Sequence, residues 1–146
     1  MKIFDTLTTR EALPFDRLIP ALRTLFVKGC HVPARHMHTL ADASGAAEGT
    51  VLIMPAWQQD AYLGIKTVTI FPGNSQRGLP GLHSTYILYD ACSGVPLAQI
   101  DGNEITSRRT AAASARDISF MASVPSETKP QSPFFQAASS FSVIRA

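Results

Sequence analysis

A change of period constrains this fold more than any other feature of the chain. Phe15, Leu18, Ile19, Leu22, Leu25 and Phe26 recur at helical spacing, which predicts an amphipathic helix with one core-facing stripe. From Val32 to Ile100 the texture switches to short strand-like runs. From Glu104 to Ala115 it switches back, and the alanines at 111–113 favour a helix there. At 146 residues the chain is long enough for one domain with a real core.

The boundaries can be read residue by residue. Asp16 is placed to cap the first helix, which puts Pro20 among the first four helical residues, where no N–H is needed. Gly29 is placed to stop it. In the strand block, Arg35–Leu40 alternates weakly and Thr50–Met54 is an apolar run ending at Pro55. Tyr62–Phe71 is rich in β-branched residues. Tyr86–Tyr89 and Pro96–Ile100 flank a hairpin-type loop, Asp90–Gly94. Between them lies FPGNSQRGLPGL (71–82), a glycine- and proline-rich loop of the length that is often functional. Asp101-Gly102-Asn103 reads as a turn. From about Arg116 the period fails, and Pro125, Pro130 and Pro133 among many serines predict a disordered or loosely packed tail.

Composition excludes several function classes. A net charge of +2 from scattered residues gives no footprint for nucleic acid or an anionic membrane. No apolar run approaches the ~18 residues of a membrane span, and MKIFDTLTTRE lacks the apolar segment of a secretory signal. Cys30 and Cys92 form no C-x-x-C and are expected as buried free thiols in a reducing cytoplasm. His36-x-His38 has no nearby Cys or carboxylate partner, so no metal is expected. Gly78-x-x-Gly81 is not a dinucleotide fingerprint, and no phosphate loop or nucleophile elbow occurs.

Three cations stand out. Lys66 lies mid-strand, where an unpaired lysine is seldom buried. Arg109 begins the second turn of its helix, where positive charge opposes the macrodipole unless an anion offsets it. Arg35 follows the turn-like Val32-Pro33-Ala34. Taken singly, each reads as an ordinary surface or salt-bridging cation; together they would grip one anionic group. His83-Ser84-Thr85 opens a strand after the glycine/proline loop. Its side chains suit contact with a phosphate or ribose, or simply a strand start with satisfied polar groups.

Val32-Pro-Ala-Arg35, GIKTVTIFPGNSQRGLPGLHSTYILYD (64–90) and GVPLAQIDGNEITSRRTAAASA (94–115) resemble the ornithine cyclodeaminase/mu-crystallin family. The resemblance covers residues 1–115. It implies an α+β substrate-binding and dimerisation domain, with an N-terminal helix packed on a mostly antiparallel sheet that pairs with a second subunit. It also implies a Rossmann domain binding NAD or NADP. The implied chemistry is cyclisation of L-ornithine to L-proline and ammonia, or reduction of cyclic imines such as Δ1-pyrroline-2-carboxylate. The intact HSTY segment favours the reductase branch. Arg35, Lys66 and Arg109 match residues that hold the carboxylate of a small amino or cyclic imino acid, and Lys66 also matches a residue assisting the imine chemistry. His83, Ser84 and Arg109 match positions near the nicotinamide cofactor.

Beyond Ala115 the expected Rossmann domain does not follow, and residues 116–146 match nothing in that pattern. The expectation is a truncated, frameshifted member with no activity of its own. The alternative is a non-enzymatic small-molecule-binding or oligomerisation module.

Overall fold

The computed structural model describes residues 1–45 and 47–121. Six strands make one sheet: β1 (Lys2–Phe4), β2 (His36–Ala41), β3 (Ala47–Trp57), β4 (Tyr62–Ile70), β5 (Leu82–Asp90) and β6 (Pro96–Asp101). Their order is β1-β6-β5-β4-β3-β2. Only the β1–β6 pair is parallel; every other neighbour is antiparallel. Three α-helices pack with them: α1 (Thr6–Ala12), α2 (Phe15–Lys28) and α3 (Gly102–Met121). The fold is therefore α+β, with helices packed against a mostly antiparallel mixed sheet. A Rossmann domain is not represented among the described residues.

The helical stripe finds its core. Leu18, Leu22 and Leu25 of α2 are buried, spaced four and three residues apart along one face. Leu18 and Leu22 join Leu13, Tyr86, Leu88, Ala98, Ile100, Ile105 and Ala112 in one cluster between helices and sheet. Leu22 is 1% exposed, and its truncation to Ala would cost about 3 kcal/mol in lost burial and cavity formation. Gly29 stops α2 as expected: its φ is +75°, and its N–H reaches the Leu25 carbonyl at 2.8 Å.

Several boundaries differ from the sequence reading, each for a local reason. α2 starts at Phe15 after Pro14, so Asp16 lies in the first turn instead of capping it. Pro20 is then the sixth helical residue, beyond the four whose N–H groups need no partner. β3 does not end at Pro55 but continues to Trp57. β2 runs out opposite Ile53, and Pro55 falls in the gap before the single bridge from His31 to Trp57. β1 and α1 went unread, because three and seven residues are too short to show a period. Asp5 caps α1, accepting from the Thr8 N–H at 2.9 Å. Residues 101–103 are not a free turn: Asp101 ends β6, and its carboxylate caps α3 by accepting from the Asn103 and Glu104 N–H groups at 2.8 and 3.0 Å. α3 runs to Met121, so the unpatterned tail read from 116 opens as helix. The rest of that reading, 122–146, lies outside the described residues.

The loop at 71–82 contains a 3-10 helix, Pro72–Arg77, closed by Gly78 at φ +67°. The Asn74 side-chain amide donates to the Pro80 carbonyl at 2.9 Å and ties the loop to itself. The cysteines correct one expectation: Cys30 is half-buried, and Cys92 is exposed in the β5–β6 hairpin loop. No described helix is long and apolar enough to cross a membrane.

Candidate functional site

β4 presents Lys66 to the helix-covered face of the sheet. Along β4 the buried positions are Gly64, Lys66 and Val68, the alternate residues of a strand with one face covered. Lys66 pairs in register with Met54 on β3 and with Tyr86 on β5, both buried. Gly64 is required there, because a Cβ would run into the Tyr86 hydroxyl. The Tyr86 ring thus lies across Gly64 and fills the space beside Lys66.

Lys66 is 5% exposed. Burial, then Arg109, then Arg35 push its pKa down to about 8. Burial also lowers the pKa of the Arg109 guanidinium. The structure therefore brings together the three cations singled out in the sequence, from the segment before β2, from β4 and from α3. Among the described residues, no carboxylate forms an ion pair with any of them; both ion pairs there belong to Glu104, with Arg10 and Arg108. A desolvated ammonium repelled by two guanidiniums is costly to hold, and an anion placed among them would offset that cost.

The two adjacent arginines of α3 separate cleanly. Arg108 donates from Nε to the Leu13 carbonyl at 2.7 Å and stacks on the Phe15 ring at 4.3 Å. Its work is structural. Arg109 has no such partner among the described residues. One residue escaped the sequence reading: Thr106, whose Oγ1 accepts from Lys66 Nζ at 3.4 Å. Its spacing of three from Arg109 was the available signal, since i and i+3 share a helix face.

His83 and Ser84 fall on opposite faces of β5. Ser84 shares the face of Lys66, by register with Val68, and its hydroxyl is bonded to Asn103 at 2.8 Å. His83 faces the other way and is exposed. It lines an open cleft of ≈ 560 Å³ with Thr67, Thr69, Thr85, Gln99 and Asp101. His36 and His38 share that uncovered face but stand apart on β2, and no group of three metal-ligating side chains occurs among the described residues.

The described residues do not supply a cradle for a dinucleotide. The turn from β6 into α3 has a single glycine, and its missing Cβ is already met by Ser84, with the nearest atoms at 2.5–2.8 Å. No backbone is left open there for a pyrophosphate to approach.

Comparison with known proteins adds to this geometry. The sequence profile of the Ornithine cyclodeaminase/mu-crystallin family matches residues 6–129, running past the expected limit at Ala115. An uncharacterized protein of Schizosaccharomyces pombe is 45% identical over 116 residues, covering 78% of this chain and 35% of that relative. The structure of Thermococcus litoralis Δ1-pyrroline-2-carboxylate reductase in complex with NADH and L-proline superposes with a TM-score of 0.63. It is 28% identical, over 78% of this chain and 36% of its own. An archaeal alanine dehydrogenase dimer with bound NAD also gives 0.63, at 29% identity over 77% of this chain and 34% of its own. The chain thus spans about a third of the length of these relatives.

Proposed function

The chain belongs to the ornithine cyclodeaminase/mu-crystallin family, and from that premise we propose that its described residues form the substrate-binding domain of an NAD(P)-dependent cyclic imino-acid reductase. The observation that carries the reading is Lys66: an ammonium 5% exposed, with two arginines beside it and no carboxylate paired to it among the described residues. A small substrate carboxylate is the anion that fits. Arg35 and Arg109 offer forked guanidiniums suited to two parallel hydrogen bonds, and Lys66 adds a point charge. With its pKa near 8, Lys66 is charged at neutral pH yet acidic enough to hold or release a proton at Nζ beside an imine nitrogen. The cofactor would supply hydride from a domain outside the described residues. Of the two residues expected beside it, Ser84 lies on the Lys66 face and is proposed to flank it, whereas His83 points to the opposite face. L-ornithine cyclisation would use the same carboxylate grip.

The test is equilibrium binding of pyrrole-2-carboxylate, a planar analogue of the cyclic imine, to the 146-residue chain by calorimetry or NMR. Binding is expected for pyrrole-2-carboxylate and not for pyrrole. Lys66→Met should weaken it by roughly 30- to 100-fold, the loss of a charge-assisted contact. Equal binding of pyrrole, or indifference to Lys66→Met, would sink the proposal.

A second reading, an oligomerisation module, draws on the uncovered face of the sheet. Val51, Ile53, Ile65 and Ile87 share that face, only half-buried, with Ile65 and Ile87 directly paired. Pairing of that face with a second subunit predicts a dimer in sedimentation. An Ile65→Lys variant should be monomeric if this face is the interface.

A further inference from the structure

We infer that Thr106 is a positioning residue whose hydroxyl oxygen holds the Lys66 ammonium where it meets the ligand. The inference rests on the reading of Lys66 as a carboxylate contact. It adds a residue whose role is to aim that contact.

The geometry fixes the polarity of the hydroxyl. A threonine hydroxyl has one hydrogen and two lone pairs. Here the hydrogen is committed, because Oγ1 donates to the Gly102 carbonyl at 2.6 Å. Only acceptor capacity remains for Lys66 Nζ, at 3.4 Å. An ordinary helical threonine also bonds back to its i−4 carbonyl, and that habit explains the Gly102 contact alone. It does not explain why the side chain sits above a buried lysine. Among the described residues, Thr106 is the hydrogen-bond acceptor that reaches Nζ.

The rest of the site seats Thr106 with little freedom. Gly102 rests directly on Ser84, where a Cβ would lie 2.7 Å from the Ser84 carbonyl carbon. Asp101 caps the first turn of α3, and the Ser84–Asn103 contact ties that turn to β5. The first turn of the helix is thereby fixed on the sheet, and Thr106 falls over β4. Arg109 arrives on the same helical face three residues later. The charged and titratable groups facing Lys66 are Arg35, Arg109 and the Tyr86 phenol across the β4–β5 pair.

An acceptor stabilises an ammonium more than a neutral amine. Removing it should lower the pH at which Lys66 loses its proton. The test is an NMR titration of the Lys66 side chain in the ligand-free 146-residue chain, comparing wild type, Thr106→Val and Thr106→Ser. Thr106→Val should lower the midpoint by about half a pH unit or more, and Thr106→Ser should restore it. Pyrrole-2-carboxylate affinity should fall roughly three- to tenfold in Thr106→Val and stay within about twofold in Thr106→Ser. Should the valine variant not fold, Thr106→Ala carries the same expectation. An unchanged Lys66 midpoint in the valine or alanine variant overturns the inference. So does a serine variant as impaired as valine. If wild type binds no pyrrole-2-carboxylate, the proposed function fails, while the ligand-free titration still decides the role of Thr106.

Discussion

On one stripe of α3, Arg10 and Arg108 meet the Glu104 carboxylate at 2.9 and 3.7 Å. On another, Arg109 faces Lys66 with Arg35 nearby, and no carboxylate among the described residues answers them. The first cluster joins α1 to α3 and is electrically complete. The second is incomplete within the described fold, although its central lysine is the better buried. Stability alone explains the first arrangement and argues against the second. A cost carried at one place and avoided a turn away points to a ligand that removes it.

Lys66→Met should sharpen this contrast most. The unfolded chain holds the Lys66 proton up to the usual 10.5, and the folded chain only to about 8. Between these values unfolding takes up a proton, so the stability of wild type rises with pH across that window. The penalty is complete below about pH 8 and amounts to about 3 kcal/mol. Lys66→Met should therefore be more stable than wild type by that order at pH 7, with the advantage fading toward pH 10.5. Urea unfolding at several pH values measures it. A variant less stable than wild type at pH 7 would break the comparison.

The adjacent arginines give the next largest effect. Arg109→Lys should weaken pyrrole-2-carboxylate binding by roughly tenfold, because the guanidinium fork is lost, with little change in stability. Arg108→Lys should do the reverse. It loses the Leu13 carbonyl bond and the stack on Phe15, for about 1–2 kcal/mol of stability, and keeps wild-type affinity. Parallel calorimetry and thermal melts on the two variants separate the roles. Glu104→Gln should show the smallest effect, a melting point lower by roughly 1–3 °C and unchanged ligand affinity.

What could be read in advance depended on the length of each pattern. The stripe of α2 spans three turns and was plain from Phe15 to Phe26. β1 and α1 gave too few residues for a period, although Asp5 followed three positions later by Thr8 is a cap geometry in plain sight. Pro55 was misread because a strand tolerates proline where its neighbour has ended, and the end of β2 is a tertiary fact. The cations were identifiable one by one, but their meeting at Lys66 was legible only through the family resemblance. Thr106 stayed hidden because helical hydroxyls usually serve their own backbone. The opposite facing of His83 and Ser84 follows from strand alternation once β5 is known to start at Leu82.

The parallel seam between β1 and β6 has a consequence for synthesis. Lys2 to Phe4 pair with Ala98 to Ile100, and Thr6 and Arg10 bind Asp101 and Glu104. Every one of these contacts spans more than ninety residues. Strand β1 therefore has no strand partner until β6 has been made. When β6 emerges it must enter between β5 and β1, pairing with both in one event. Such an ordering makes a slow, late closure, during which the unpaired β1 segment is the natural handle for a chaperone or a protease.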